Sequence, residues 1–414
     1  MTTFRATRAI DADVTHAAAQ TRRRRSIKCG LAALGTGAAV LLAACSSSSG
    51  AGSQGGPAGS GSGGNGIGTK GNPISLKVGS LGFDPKKYCG TKPMKVGLMD
   101  GFAPNTWRYE VLAMNRAVLA ACKNVTTHQY YNSNLNEQNY ANQLNVWASQ
   151  QFNVVYAYPD FGPQSNQAFK QAQRRGMKIG VDYLAADDVV PDIVSADVAE
   201  DYLSAAKTWV PFFDQATNHN ANILVIGGPA GNTEDPAVVA AIQQVIQSTG
   251  AKVKLLQTTP VVGNWDTATT AQAMSAAIAK YPNLNGVVAT SIAVEPAIVR
   301  AFRAAGRPLP ALAGQGSDNQ LVCDLHSILK TDPTFNLVSI DASGNAAPLA
   351  LIKAIAAYQG IKAPELGPTD STTYFTMPTY INTLTKQLPE CSTSVPASAD
   401  LSMALTPEQI ANLK

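Results

Sequence analysis

Six cysteines and four histidines hold most of the reactive chemistry this sequence could offer. Beyond the first segment the histidines are His128, His219 and His326. None stands at a metal-ligand spacing from another histidine or a cysteine, and a zinc site needs about four converging ligands. They read as surface histidines, and neither metal nor cofactor is expected. Gly66-Ile67-Gly68-Thr69-Lys70-Gly71 satisfies G-x-G-x-x-G. The dinucleotide-binding form of that pattern follows a strand and opens a helix. Here a polar linker precedes it and Asn72-Pro73 follows, so the match is read as chance. There is no G-x-x-x-x-G-K-[ST] phosphate loop, and no G-x-S-x-G elbow in the folded part. Catalytic partners converge in space rather than in order, but no residue here points to a nucleophile or base. The expectation is a protein without enzymatic chemistry.

Charge and composition narrow the field. The 414 residues are 45% hydrophobic, enough for two packed cores or more, and only 14% charged. An average soluble domain has roughly 25% charged residues. The net charge of +4 is misleading. Residues 1–44 hold seven Lys and Arg and two acids, which leaves 25 basic and 26 acidic residues elsewhere. A nucleic-acid protein needs its positive charge in the folded part, to neutralise phosphates, so no nucleic-acid partner is expected.

That first segment reads as an export signal. Arg22-Arg23-Arg24-Arg25-Ser26-Ile27-Lys28 precedes an apolar run over residues 29–44. The run is shorter than the roughly 20 residues a membrane-spanning helix needs. A basic start, a short apolar stretch and small residues at its end describe a secretory signal. Leu42-Ala43-Ala44-Cys45 resembles the bacterial lipobox. That resemblance implies that residues 1–44 are removed and that Cys45 carries acyl chains anchoring the protein to the outer face of the cell membrane. Residues 45–76 read as the lipidated cysteine and a Ser/Gly-rich tether, with a reach of about 30 Å.

From Met94 onward short β-rich runs alternate with helical stretches. Strands are expected at 94–99 (MKVGLM), 153–158 (NVVYAY), 178–182 (KIGVD), 222–227 (NILVIG), 286–290 (GVVAT) and 336–340 (NLVSI). A short extended run is read at 192–195 and a long helix at 198–216. Residues 374–384 read as an added edge strand, because Pro378 suits an edge. Such alternation implies βαβ units and parallel sheets. About 320 residues of it exceed one comfortable core, so two α/β domains are expected.

Without Cys29 in the signal and Cys45 at the lipid, Cys89, Cys122, Cys323 and Cys391 remain. An even number in an exported chain suggests disulfides, with three possible pairings. Cys89 precedes the first strand and Cys122 ends the helix that returns antiparallel to it. Topology therefore favours Cys89–Cys122 with Cys323–Cys391, the second pinning the tail.

Four stretches together resemble the sugar-binding proteins of bacterial ABC importers, of the ribose-binding, type I periplasmic binding protein kind. They are KVGLMDGFAPNTW, FNVVYAYPDFGPQSNQAFKQAQRRGMKIGVDY, ILVIGGPAGNTEDPAVVAAIQQVIQSTGAKVKLLQTTPVVGNWD and YPNLNGVVATSIAVEPAIVRAFRAAG. The resemblance implies an α/β fold of two Rossmann-like parallel-sheet domains joined by a three-strand hinge. It places the crossings near Asp197, Asp341 and Thr372. One lobe is then 77–196 plus 342–372, and the other 197–341 plus 373–414. It implies a ligand in the cleft between them, a sugar or polyol, delivered to an ABC permease by a monomer tethered to the membrane.

By the same resemblance, Asn105 and Trp107 follow the first strand, and Trp265 faces them from the other lobe. A flat aromatic can cover the apolar CH face of a sugar ring. Asp182 matches a family carboxylate that accepts hydrogen bonds from hydroxyls, Asp341 lies near a family position that hydrogen-bonds the sugar from the hinge, and Ser291 and Asp318 lie near contact positions. The departures also matter. Tyr183 stands where the family often has an Arg, the turn Gly231-Asn232-Thr233-Glu234-Asp235-Pro236 offers none, and Ser291-Ile292 replaces an Asn-Asp pair. A cleft short of cationic donors and amides is expected, suited to something other than ribose. Two alternatives are a sensory component that docks on a membrane receptor and an exported hydrolase on an α/β scaffold.

Overall fold

The computed structural model describes residues 66–102, 105–183, 190–291 and 294–413. The expected signal segment, the lipidation at Cys45 and most of the tether lie outside the described residues.

Two seven-stranded sheets organise the described residues. The first is built from β1 (Ile74–Ser75), β2 (Met94–Asp100), β3 (Val125–Asn132), β4 (Val154–Ala157), β5 (Lys178–Asp182) and β6 (Ala196–Glu200). The second takes β7 (Ala221–Gly227), β8 (Val253–Leu255), β9 (Val261–Val262), β10 (Gly286–Ala289), β11 (Ala311–Gln315) and β12 (Leu337–Ile340). The chain then returns β13 (Thr373–Thr376) to the first sheet and β14 (Thr379–Asn382) to the second. The first sheet runs β1-β13-β6-β5-β4-β2-β3, every pairing parallel. The second runs β14-β12-β11-β10-β7-β8, with β9 beside β7 and β14 antiparallel to β12.

The central strands are apolar and buried on both faces, as parallel strands between helices must be. Around the first sheet pack α1 (Thr106–Ala121), α2 (Glu137–Ser149) and α3 (Asn166–Arg174). Around the second pack α4 (Tyr202–Ala216), α5 (Glu234–Thr249), α6 (Thr267–Lys280), α7 (Glu295–Ala304) and α8 (Asn319–Thr331). Helix α9 (Ala346–Gln359) is buried along nearly its whole length against β4, β5 and β6. A short α10 (Pro407–Ala411) follows, capped by Thr406 in a reciprocal box with Gln409.

Helix α9 comes so close to β5 that a Cβ on Gly180 would collide with the Ala350 carbonyl. Gly180→Ala is therefore expected to destabilise the protein by about 1–3 kcal/mol through overpacking. Urea unfolding measures this; an unchanged midpoint and slope would refute the close approach.

Several sequence expectations need correction. The tether was expected to run to residue 76, yet Gly66–Leu76 folds onto the first sheet. Residues 68 and 72 close a turn, β1 pairs with β13, and Leu76 is buried. Residues 198–200 belong to a strand, not to the long helix. Every residue of β6 is buried, and Asp201 caps α4 by accepting from the Leu203 N–H at 3.2 Å. The first crossing thus follows Glu200 instead of lying at Asp197. The third follows Thr376 instead of Thr372, so β13 stays with the first sheet and the boundaries 196/197 and 372/373 both move. The second passes through Asp341. Hydrogen bonds from the Asp201 N–H to the Phe375 carbonyl and from the Asp341 N–H to the Pro378 carbonyl hold the crossings side by side. Strand β3 (VTTHQYYN) has no counterpart among the expectations. It is a polar edge with no buried residue, so no apolar run marks it.

Disulfides join Cys89 to Cys122 and Cys323 to Cys391. The first ties the start of the first lobe to the end of α1, and the second ties the tail to α8.

Candidate functional site

A cavity of about 230 Å³ opens between the lobes. It lies beyond the carboxyl ends of β2, β4 and β5 on one side and of β7, β10 and β11 on the other. In each sheet this is where strand order reverses, β2 standing between β3 and β4 and β7 between β8 and β10. Helices leave opposite faces there and open a crevice.

The first wall is built on the N-terminus of α1. Asn105 caps it, its side-chain oxygen accepting from the Arg108 N–H at 2.9 Å. The next residues then face the crevice. Trp107 lies edge-on to Tyr158, ring centres 5.7 Å apart, and its indole N–H donates to Ser343 Oγ at 3.1 Å. Arg108 is buried beneath them. It donates to Asp100 at 2.7 Å and to Asp160 at 2.6 Å, and its guanidinium sits 3.8 Å from the centre of the Tyr158 ring. Burial pushes the Asp100 carboxyl up to about 6, against the opposing pull of Arg108. Tyr183 adds a further ring, its hydroxyl donating to the Ser343 carbonyl at 3.2 Å.

The opposite wall centres on Trp265. Asn264 and Trp265 take left-handed backbone angles, φ 54° and 48°. Their N–H groups donate to the Gly228 and Gly227 carbonyls, which hold that conformation. A Cβ on Gly228 would lie 2.6 Å from the Trp265 ring, so only glycine lets the indole settle there. The indole N–H meets Thr290 Oγ1 at 3.3 Å, and Thr290 in turn donates to buried Asp235 at 2.6 Å. Phe102 reaches across from the first lobe, its ring centre 6.4 Å from that of Trp265.

Of the residues singled out by sequence, Asn105, Trp107, Trp265, Ser291 and Asp318 line this one cavity. Asp318 also caps α8, accepting from the Leu321 N–H at 2.7 Å. Asp182 and Asp341 do not line it. Asp182, the last residue of β5, turns inward to accept the Tyr156 hydroxyl at 2.9 Å, and the chain leaves the strand at Tyr183, φ 63°, whose side chain lines the cavity. Asp341 is buried against Asp400, and one Asp341 oxygen accepts its neighbour's N–H, from Ala342, at 2.8 Å. The expected shortage of cations also needs amending, because Arg108 lines the cavity.

Tyr158 and Tyr183 were legible as aromatics closing the runs NVVYAY and KIGVDY. Arg108, Glu110, Ser398 and Asp400 gave no signal: the partners of the last three, and the second partner of Arg108, Asp160, lie far away in sequence.

Acids gather in the cavity wall and just behind it. Glu110 is fully buried; one oxygen accepts the Asp400 N–H at 3.0 Å and the other has no partner among the described residues. Burial first, then the Asp400 charge, pushes the Glu110 carboxyl up to about 9. Burial likewise pushes Asp318 up to about 6 and raises Asp341 and Asp400. Glu110 therefore keeps its proton when folded and loses it near its ordinary pKa when unfolded. That stability is complete at acid pH and is lost as pH rises toward about 9. The melting temperature is expected to fall from pH 6 to 9, and Glu110→Gln to remove about 1 kcal/mol or more of that fall. Equal slopes in thermal scans of both proteins would contradict this.

The arrangement offers ring faces on two walls and oxygen acceptors beside them, which suits holding a small hydroxylated molecule. The sequence matches the periplasmic binding protein domain over residues 97–323, more than half of the chain. No curated protein matches it. Solved structures do. One is a sugar ABC transporter protein from Yersinia enterocolitica subsp. enterocolitica 8081, 17% identical with a TM-score of 0.58, covering 75% of this chain and 89% of that one. Another is a 5-methylthioribose transporter solute binding protein from Thermotoga lettingae TMO in complex with 5-methylthioribose, 17% identical with a TM-score of 0.57, covering 73% and 88%. A third is an ABC transporter solute binding protein from Burkholderia graminis C4D1M in complex with D-arabinose, 15% identical with a TM-score of 0.57, covering 72% and 99%. At these identities the likeness is one of fold. The domain match and the paired parallel sheets together make this chain a member of the periplasmic binding protein family, with the type I fold.

Proposed function

We propose that this protein captures a sugar or polyol outside the cytoplasm and delivers it to an ABC permease, binding its ligand without transforming it. The observation that carries the reading is the cavity between the lobes, with Trp107 and Trp265 on opposite walls. Two indoles can cover the CH faces of a ring. The Asp318 carboxyl, ionised near neutral pH, and Ser291 then meet its hydroxyls, and a bond to an ionised carboxylate is the stronger kind. Asn105, Trp107, Trp265, Ser291 and Asp318 are the proposed contacts. Asp182 and Asp341 support the walls from behind. Lobe closure about the three crossings, the usual motion of such hinged proteins, would bury the ligand and create the shape a permease recognises. Cys45, lipidated, would keep the monomer at the membrane.

Protein purified under native conditions from its own host should release a small hydroxylated molecule on denaturation, detectable by mass spectrometry at up to one equivalent. Consistent release of an amino acid or a peptide instead would overturn the sugar reading.

A further inference from the structure

Three crossings join the lobes, but the chain passes between them once more. After β14 the tail is fastened to the second lobe by the Cys323–Cys391 disulfide and by hydrogen bonds to the start of α8. Asn319 exchanges side-chain bonds with the Ser392 backbone at 2.7 and 2.9 Å, and the Asn319 and Gln320 N–H groups donate to the Ala399 and Ala397 carbonyls. The same stretch then grips the first lobe. Ser398 Oγ lies 2.6 Å from Thr106 Oγ1, and the Asp400 N–H donates to Glu110, both partners on α1. Next, Ser402 Oγ accepts the Ala342 N–H at 2.8 Å, and the Ser402 carbonyl accepts the Gly79 N–H at 2.8 Å. Ser398 and Asp400 themselves line the cavity.

We infer that residues 391–404 form a strap that is part of the binding site, with Ser398 contacting the ligand and the Cys323–Cys391 disulfide fixing the strap in place before the ligand arrives. The inference rests on the proposed capture of a hydroxylated ligand and adds recognition elements to it. Ser398 is exposed at the mouth of the cavity and already shares a hydrogen bond with α1, so its hydroxyl can be exchanged from Thr106 to a ligand hydroxyl at little cost. Asp400 is buried, with one oxygen accepting the Ser402 hydroxyl and N–H. It acts as a positioning residue that sets the place of Ser398 at the cavity. Without the disulfide, the strap would have to be ordered at the expense of binding energy.

The test titrates D-arabinose, D-fucose, L-rhamnose and D-tagatose into the wild-type protein, Ser398→Ala and the double variant Cys323→Ser/Cys391→Ser, with melting temperatures measured alongside. For any sugar the wild type binds, Ser398→Ala should raise Kd by about fivefold, the worth of one hydrogen bond, with its melting temperature unchanged. The double variant should raise Kd by about tenfold, since strap ordering then opposes binding. A strap with a purely structural role would lower the melting temperature of the double variant and leave both Kd values at wild type. That result overturns the inference and spares the proposed function. If the wild type binds none of the four sugars and native protein releases no hydroxylated molecule, the sugar reading fails and the inference falls with it.

Discussion

Trp265→Ala should weaken ligand binding by about thirtyfold or more, the equivalent of about 2 kcal/mol. The cause is local. Trp265 is half-buried, its ring flat against Gly228 on one side and open to the cavity on the other. Its loss removes one of the two indole walls that would enclose a ligand ring, along with the edge contact to Phe102 that bridges the lobes. The β7 and β10 strands beneath it are held by their own pairings, so the melting temperature should move by only about 3 °C. Trp107→Ala should lose affinity similarly, because its indole occupies the opposite wall and Ser343, its partner, sits at the second crossing. Calorimetric titration with the sugar recovered from native protein measures both. Wild-type affinity in either variant would show that the wall it removes does not touch the ligand.

Arg108→Met has the larger effect on stability. The guanidinium is buried and joins Asp100 to Asp160, and methionine fills much of its volume without its charge. Breaking a buried pair by removing one partner costs about 3–5 kcal/mol, because an uncompensated charge is left behind. Here two carboxylates are left. Asp100 is already pushed up to about 6 with the cation present, and removing Arg108 raises it further. A carboxyl whose folded pKa is raised costs stability as pH rises. The deficit of the variant should therefore be greatest at pH 8 and should shrink as pH falls toward the ordinary carboxylate value of about 4. Urea unfolding at several pH values reads both the size and the slope. A deficit that is constant with pH would mean that the two acids are not the cause.

The fold was legible where burial repeats itself. Central parallel strands are continuous apolar runs, and NVVYAY, NILVIG and NLVSI announce themselves. Polar β3 did not, and neither did β6, whose ADVAE carries two acids into a fully buried strand. One of these, Asp197, accepts the Thr372 hydroxyl at 2.7 Å; the other, Glu200, accepts the Gln315 side chain from the second lobe. Polar residues satisfied by distant partners look like loop or helix in sequence. The site follows the same logic. Trp107 and Trp265 stand beside polar neighbours just past strands, and that setting pointed to a cleft. Arg108 and Glu110 share their helix with Trp107, but what they face is decided by Asp160 and by Asp400, 52 and 290 residues away. The tail crossing has no periodic pattern at all. Only its cysteine hinted that it would be pinned.

Tryptophan fluorescence tests the central claim most directly. The chain has four tryptophans, of which Trp147 and Trp209 are sealed in the cores, fully buried, while Trp107 and Trp265 line the cavity. Titration with a sugar that binds should give a saturable change in emission. That change should shrink in Trp107→Phe and in Trp265→Phe and vanish in the double variant, although phenylalanine still allows binding. A full-sized change in the double variant, or saturable binding with no change in the wild type, would place the ligand somewhere other than between the two indoles.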